Sequence, residues 1–185
     1  MRINAGKWKG RVIYSVEGNT TRPTPDMVKQ ALFNIIRDRI DGADFCDLFA
    51  GTGNVAFEAL SRGAKSAVLV ENNRDAINVI NKNIEKLACD GCTTVISKDV
   101  FIALKLMNSK KFDVIFFDPP YNKGIEKDVL QSVYDNNLLK GDGIVVVQYD
   151  AKHSGSIRIP EEFEITDERR YGRSAIVFLR VADLL

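Results

Sequence analysis

An acid, two prolines and a tyrosine end an apolar run in the second half of the chain. Asp118, Pro119, Pro120 and Tyr121 follow residues 112–117 directly. Successive prolines fix φ and remove N–H donors, which leaves carbonyl and carboxylate groups available to a ligand. The exocyclic amine of a nucleobase needs such acceptors, because its lone pair is delocalised into the ring. We predict that Asp118 and the Pro119 carbonyl orient an amine, while Tyr121 stacks on an everted base.

A second pattern joins an acid to a glycine turn. Asp47 stands four residues before Gly51, and Gly53 completes a D-x-x-x-G-x-G motif. Glu71 follows Gly51 by 20 residues, a spacing that also fits an NAD site. Asp47 favours S-adenosylmethionine, because an acid suits the sulfonium and ammonium charges of that cofactor and would repel a pyrophosphate. A structural Asp47 that caps the loop is the alternative.

The elements that must position these residues alternate between strand and helix. Strands are predicted at residues 43–49, 66–70, 93–97, 112–117 and 143–149, and helices at 55–62, 75–87, 100–107 and 125–136. This alternation predicts a parallel sheet covered on both faces, with ligands beyond the carboxyl ends of the strands. We expect Asp47, Glu71, Asp99 and Asp118 along that rim. Asp99 could accept a hydrogen bond from an adenine amine, or only N-cap the next helix.

The start of the chain is basic. Residues 1–40 carry eight Lys or Arg and three acids, a net charge of +5, whereas the whole chain has +1. Residues 2–16 are predicted to form a short β-hairpin. The candidate RNA-binding residues in it are Lys7, Trp8, Lys9 and Arg11. Cations with an aromatic between them suit a phosphate backbone and an exposed base, although lysines on a solvated hairpin edge are an equal alternative.

Composition limits the class of protein. A chain of 185 residues, 45% apolar and 28% charged, fits one domain. It shows neither a signal peptide nor an apolar segment long enough for a bilayer, and its three cysteines are few for a disulfide framework, so we expect a cytoplasmic protein without membrane contact. Cys89 and Cys92 have the spacing of a zinc site. Only Cys46 and His153 remain as further Cys or His ligands, so no metal is expected.

Several segments together resemble the bacterial RsmD-type methyltransferases, which make N2-methylguanine in small-subunit ribosomal RNA. They are NAGKWKGR at 4–11, TRPTPDMV at 21–28, ALFNI at 31–35, DLFAGTG at 47–53, EALSRGA at 58–64 and DPPY at 118–121. The resemblance implies a Rossmann-like class I fold, with a seven-stranded, mostly parallel sheet, helices on both faces and a short N-terminal β-hairpin. It also implies a single domain, in which residues 1–20 form the basic hairpin and residues 21–185 the catalytic core that binds S-adenosylmethionine.

The resemblance further implies roles for individual residues. The cofactor would be held by Arg22, Thr24, Gly51, Gly53 and Glu71. Asp118 and Tyr121 would bind the guanine, and the basic hairpin would contact RNA within a small-subunit assembly particle. Gln148 departs from the family, which usually has Glu there, and this leaves the role of that acid in doubt. Residues 169–173 match a basic turn of the family or form a tight loop between two antiparallel strands.

The predicted function is direct transfer of a methyl group from S-adenosylmethionine to the N2 amine of a flipped guanosine in 16S ribosomal RNA, without a metal. An N6-adenine methyltransferase shares the Asp-Pro-Pro-Tyr element, but such enzymes usually carry a large target-reading insertion. An NAD-dependent oxidoreductase needs a hydride-handling group, for which His153 is a poor candidate. If the protein only bound RNA, nothing would explain why Glu71, Asp99 and Asp118 meet at one edge of the sheet.

Overall fold

The computed structural model describes residues 1–16, 26–120, 124–153 and 157–182. Its strands are β1 (Asp44–Asp47), β2 (Ser66–Val70), β3 (Thr93–Ile96), β4 (Phe112–Phe117), β5 (Leu139–Asp150), β6 (Phe163–Tyr171) and β7 (Ser174–Val181). They form one sheet in the order β3-β2-β1-β4-β5-β7-β6. The first five strands are parallel, and β7 is antiparallel to both β5 and β6. The predicted seven-stranded, mostly parallel Rossmann-like sheet is confirmed.

Helices cover both faces of this sheet, as predicted. They are α1 (Asp26–Ile35), α2 (Asn54–Ser61), α3 (Arg74–Leu87), α4 (Val100–Leu106) and α5 (Glu126–Asp135). The apolar residues of α1, α2 and α3 belong to one buried cluster, and those of α4 and α5 to another. Among the described residues, no helix has the length and apolar character needed to cross a membrane.

Side chains alternate along each strand, so one strand contributes residues to both buried clusters. In β4, Val114 and Phe116 pack in the cluster under α1, α2 and α3, whereas Ile115 and Phe117 pack in the cluster under α4 and α5. Successive side chains of a strand point to opposite faces, so residue 118 continues the row of Val114 and Phe116. We call the side of the sheet covered by α1, α2 and α3 the α1–α3 face.

Two hairpins show how local sequence sets the chain path. In the N-terminal hairpin, a single antiparallel bridge joins Arg2 and Val12, so the pairing is shorter than the predicted strands. At the other end of the chain, Tyr171 pairs with Ser174 across a two-residue turn, in which Gly172 has φ +60°. The expected tight loop between antiparallel strands is therefore observed, and most of the basic cluster at 169–173 lies within β6 rather than in the loop.

Candidate active site

Three of the predicted acids follow the carboxyl ends of adjacent strands. The registers pair Asp47 with Leu69 of β2 and with Phe116 of β4. Glu71 and Asp118 lie two residues beyond these partners, and therefore on the same side of the sheet, one layer nearer the edge. The structure thus brings the three carboxyl groups together on the α1–α3 face, across the order β2-β1-β4.

The turn after β1 needs glycine at two positions for different reasons. Gly51 and Gly53 have φ values of 55° and 82°, a region that strains residues with a Cβ. A Cβ on Gly53 would lie 2.4 Å from the Phe57 ring and 3.0 Å from Leu69, so the packing of α2 on β2 requires glycine. A Cβ on Gly51 would meet no atom within 4 Å. Gly51 therefore borders open space, in which a ligand can approach the backbone.

Glu71 ties the end of β2 to this turn. Its Oε2 accepts a hydrogen bond from the Gly51 N–H at 2.8 Å. Its Oε1 accepts from the N–H groups of Asn72 and Asn73, both at 2.9 Å. Three backbone donors therefore fix the carboxylate next to the glycine turn. A carboxylate offers about four acceptor sites, so Glu71 can still accept a hydrogen bond from a ligand hydroxyl.

Asp47 lies deepest of the three acids. Its side chain is 1% exposed, and burial raises the pKa of the carboxyl to about 8, with a further contribution from the negative charges of Glu71 and Asp118 and an opposing one from the Phe49 N–H. Its Oδ1 has no hydrogen-bond partner among the described residues. Buried polar atoms are nearly always paired, so this oxygen is a candidate ligand contact.

Asp118 is oriented by the neighbouring strand. Phe117 pairs with Val147, which places Gln148 beside Asp118, and Gln148 Nε2 donates to Asp118 Oδ2 at 2.8 Å. The Gln148 residue is 2% exposed, and its Oε1 has no partner within the part of the chain that the structure describes. In the sequence Gln148 was notable only as a departure from the family. The register between β4 and β5 is the signal that assigns it to the site.

The remaining predicted cofactor and base contacts are only partly described. Pro119 is buried and Asp99 is exposed. Asp99 caps α4 by accepting a hydrogen bond from the Phe101 N–H at 2.9 Å, so the N-cap alternative is observed and the contact with adenine stays a prediction. Arg22, Thr24 and Tyr121 lie outside the described residues, and their roles also stay predictions.

The predicted RNA-binding residues divide into exposed and buried ones. Lys7, Lys9 and Arg11 are exposed, whereas Trp8 is 7% exposed and packs in the core of the α1–α3 face. The Trp8 N–H donates to Ser61 Oγ at 2.9 Å, and the Lys7 N–H donates to the Ser61 carbonyl at 2.8 Å. Trp8 therefore anchors the hairpin to α2. Its burial speaks against the expectation that its ring stacks on a base.

A buried ion pair that the sequence analysis did not identify holds the same hairpin. Lys29 and Glu58 are both 0% exposed, and Lys29 Nζ lies 3.3 Å from Glu58 Oε2. Glu58 also accepts from the N–H groups of Asn4 (2.8 Å) and Ala5 (3.0 Å) and from Arg62 Nε (2.7 Å). This network joins the N-terminal hairpin to α1 and α2, two of the helices that cover the α1–α3 face.

The cysteines make local contacts. Cys89 Sγ donates to the Ile84 carbonyl at 3.7 Å, and Cys92 Sγ donates to the Cys89 carbonyl at 3.4 Å. Burial raises the pKa of the Cys89 thiol, which favours the protonated form that metal ligation must displace. Within the described ranges, no group of three His, Cys, Asp or Glu side chains is placed to hold a metal ion.

The chain is similar to known proteins over most of its length. Residues 1–180 match the protein family described as Conserved hypothetical protein 95. The Ribosomal RNA small subunit methyltransferase D of Haemophilus influenzae is 33% identical over 174 residues, which cover 93% of this chain and 89% of that protein. The protein of that name from Escherichia coli K12 is 30% identical over 176 residues, which cover 95% and 87%. The chain belongs to the RsmD-type methyltransferase family.

The fold agrees with this RsmD-type membership. The solved structure named "Putative methyltransferase yhhF" from Escherichia coli matches with a TM-score of 0.87 at 28% identity, and the match covers 98% of this chain and 97% of that one. The resemblance drawn from the motifs, and the class I methyltransferase fold that it implied, are confirmed. Membership of this family leaves the NAD interpretation of the glycine pattern without support.

Proposed function

We propose that the protein uses S-adenosylmethionine to methylate the N2 amine of a guanosine in small-subunit (16S) ribosomal RNA. The observation that carries the proposal is the position of Asp118. Gln148 holds its carboxylate on the same face and edge as the glycine turn tied to Glu71. A methyl donor at the turn and a base amine at Asp118 would therefore be neighbours. The names of the relatives supply the substrate class, and the RsmD-type motifs supply the guanine N2 position.

The groups around the turn fit S-adenosylmethionine. Asp47 offers a buried carboxyl oxygen without a hydrogen-bond partner among the described residues, and the ammonium group of the cofactor would supply a donor. Glu71 keeps an acceptor site for a ribose hydroxyl, and Gly51 leaves space for close approach. A pyrophosphate would add negative charge beside three acids, which is unfavourable. We infer that Arg22, Thr24 and Asp99 complete this site.

The residues around Asp118 would act by orientation. S-adenosylmethionine supplies an electrophilic methyl group on a sulfonium. The Asp118 carboxylate and the Pro119 carbonyl would accept the N–H hydrogens of the amine and so direct its lone pair at the methyl carbon. Formation of the N–C bond would break the C–S bond and leave the nitrogen positive, and Asp118 would stabilise this charge and accept a proton. Tyr121 would hold the flipped guanine by stacking.

We further infer how the chain is organised for this reaction. Residues 1–185 would work as a single methyltransferase domain, with residues 1–20 as the basic hairpin and residues 21–185 as the catalytic core. The Lys29–Glu58 network supports this view, because it fixes the hairpin to the two helices of the core that border the site. The RNA would be reached in a small-subunit assembly particle, in line with the family resemblance.

Asp118→Ala tests the proposal. Removing one preorganised acceptor typically slows a reaction by about 10²- to 10³-fold, so the variant should lose methylation of 16S RNA and keep its affinity for S-adenosylmethionine in calorimetry. Nucleoside mass spectrometry should find N2-methylguanosine as the product of the wild-type protein. Asp128→Ala, at an exposed position of α5, is the control. Normal methylation by Asp118→Ala would contradict the assigned role, and N6-methyladenosine as the product would contradict the choice of guanine.

A further inference from the structure

Tyr14 lies where the N-terminal hairpin packs against α3, close to the glycine turn. Its N–H donates to Asn83 Oδ1 at 2.8 Å, and Asn83 Nδ2 donates to the Tyr14 carbonyl at 3.2 Å. The same Nδ2 donates to the carbonyl of Thr52, in the glycine turn, at 3.2 Å. Asn83 is fully buried on α3. One rigid side chain therefore holds the backbone of residue 14 beside the proposed cofactor turn.

The side chain of Tyr14 is half exposed and lies beside a lysine of α3. Tyr14 is 50% exposed, and Lys86 Nζ lies 4.3 Å from the centre of its ring. Lys82 is one helical turn before Lys86 on α3, and both lysines are exposed. Residues four apart share one side of a helix, whereas Glu85 is rotated about 100° from Lys86. An exposed aromatic ring thus stands at Lys86, and Lys82 lies on the same side of α3.

The basic tip of the hairpin, which carries Lys7, Lys9 and Arg11, lies at the C-terminal end of α2. Lys7 and Trp8 bond to Ser61, the last residue of α2, whereas the glycine turn precedes its first residue. A helix of this length spans about 12 Å. The backbone of Lys7 and Trp8 therefore lies about that far from the turn, whereas the backbone of Tyr14 is joined to the turn through Asn83. Trp8 is buried, so among the aromatic residues of the described hairpin Tyr14 is the exposed one.

We propose that Tyr14, Lys82 and Lys86 form a binding surface for single-stranded RNA where the N-terminal hairpin packs on α3. An unpaired base of the substrate stacks on the Tyr14 ring, and its flanking phosphates contact the two lysines. Aromatic stacking combined with cations is the usual way to hold unpaired RNA without reading its sequence. The surface deepens the proposed function and rests on it. It also gives the hairpin a second role, since the tip at Lys7, Lys9 and Arg11 then receives the more distant backbone.

Tyr14→Leu and Tyr14→Phe separate stacking from folding. Both variants keep the backbone bonds to Asn83, and only leucine removes the ring. We expect Tyr14→Leu to weaken binding of a dodecameric oligo(U) about tenfold, because stacking on an aromatic contributes roughly that much per base. The KM for 16S RNA should rise in parallel, while the KM for S-adenosylmethionine and kcat stay unchanged. Tyr14→Phe should behave as wild type, and equal affinities of the two variants would overturn the proposal.

Lys82→Gln combined with Lys86→Gln tests the phosphate contacts. Each phosphate contact to a single strand contributes about 0.7 to the slope of log affinity against log salt, so the double variant should lose about 1.4 from that slope. The matched control is Lys105→Gln with Lys127→Gln, which removes two exposed lysines from α4 and α5 on the opposite face. A slope equal to that of the control would overturn the proposal.

The two proposals fail in distinguishable ways. A wild-type protein that methylates 16S RNA, with variants at Tyr14, Lys82 and Lys86 that keep the wild-type KM for RNA, would overturn the binding surface and keep the function. A wild-type protein that forms no methylated nucleoside, yet binds oligo(U) through Tyr14, would overturn the proposed function and support the surface.

Discussion

Two acids are buried near the α1–α3 face in opposite surroundings. Glu58 on α2 is 0% exposed, and both its oxygens have donors from the N-terminal hairpin, Lys29 and Arg62. Asp47 at the end of β1 is 1% exposed, and its Oδ1 has no partner among the described residues. The chain supplies donors to both oxygens of Glu58, whereas it leaves one oxygen of Asp47 without a hydrogen-bond partner among the described residues.

From this difference we infer that the Glu58 carboxylate has a structural role and that the Asp47 carboxyl group binds a ligand. A buried charge is tolerated when donors and a counter-ion replace the lost water. Glu58 meets that condition, so its role is to join the hairpin to the helices. Asp47 does not meet it, and two further acids lie beside it. We therefore infer that a cationic ligand binds beside Asp47, next to the open turn, and supplies the missing counter-ion.

The largest expected effect is on stability, from Glu58→Ala. The substitution leaves Lys29 buried without its main counter-ion and removes the acceptor of two backbone N–H groups. Removing one partner of a buried ion pair costs about 3–5 kcal/mol, and we expect a loss of that size in the free energy of unfolding, measured with urea. The exposed variant Asp128→Ala should change little. A loss below about 1 kcal/mol would show that the network is not structural.

Asp47→Asn should lower cofactor affinity and leave stability unchanged, in contrast to Glu58→Ala. The amide is nearly isosteric and uncharged, so the free energy of unfolding at pH 7 should not fall. Affinity for S-adenosylmethionine should fall by about 10- to 100-fold, because a hydrogen bond to a charged group contributes roughly 1.5–3 kcal/mol. Calorimetry with the purified protein measures this. Unchanged affinity together with lower stability would place Asp47 in the same structural class as Glu58.

Gln148→Leu should give a smaller and purely kinetic effect. The variant fills the same space and loses the donor that orients Asp118, so we expect kcat to fall about tenfold, close to the contribution of one hydrogen bond to a charged group. The KM for S-adenosylmethionine should not change. Gln148→Glu places a second carboxyl group against Asp118, and the pair must share a proton. Its rate should therefore depend on pH where the wild-type rate is constant; identical pH profiles would contradict the contact.

The smallest expected effect is the release of a proton from Asp47 when S-adenosylmethionine binds. The pKa of Asp47 is about 8, so at pH 7 the carboxyl is mostly protonated, and a cation bound beside it lowers the pKa and releases the proton. Affinity for S-adenosylmethionine should rise with pH until about 8 and then level off. Calorimetry at pH 7 in two buffers of different ionisation enthalpy should show release of most of one proton, with almost none for Asp47→Asn. Equal heats in the two buffers would contradict the assignment.

The same pKa predicts how stability varies with pH. An acid whose pKa rises from 3.8 in the unfolded chain to about 8 in the fold contributes stability that is greatest below pH 4. This contribution is lost as the pH rises through about 8, because the unfolded state releases its proton first. Thermal unfolding of the wild type at several pH values should show the decline, and Asp47→Asn should lack it.

Much of the site could be predicted because it depends on strand geometry. Asp47, Glu71 and Asp118 each end or follow an apolar run, and parallel strands place such residues at one edge. The alternation of side chains then puts all three on one face. Short-range rules of this kind can be applied to a sequence without knowing what packs on what.

The parts that could not be predicted depend on contacts between distant segments. Trp8 stands between two lysines, a context typical of a solvated aromatic, yet it is buried because Ser61 of α2 holds the backbone around it. Glu58 lies in a helix with Arg62 four residues later, a spacing common on exposed helix surfaces. Its burial follows from the hairpin that packs over it, a placement that no local pattern encodes.

Strand β7 is the last strand along the described chain, yet it lies inside the sheet, between β5 and β6. The valine-rich edge of β5 at residues 145–147 has no antiparallel partner until residues 174–181 have folded against it. An open, apolar strand edge pairs readily with other chains. A chain shortened before β7 would therefore aggregate, and the yield of folded protein would suffer before its catalytic rate could be measured.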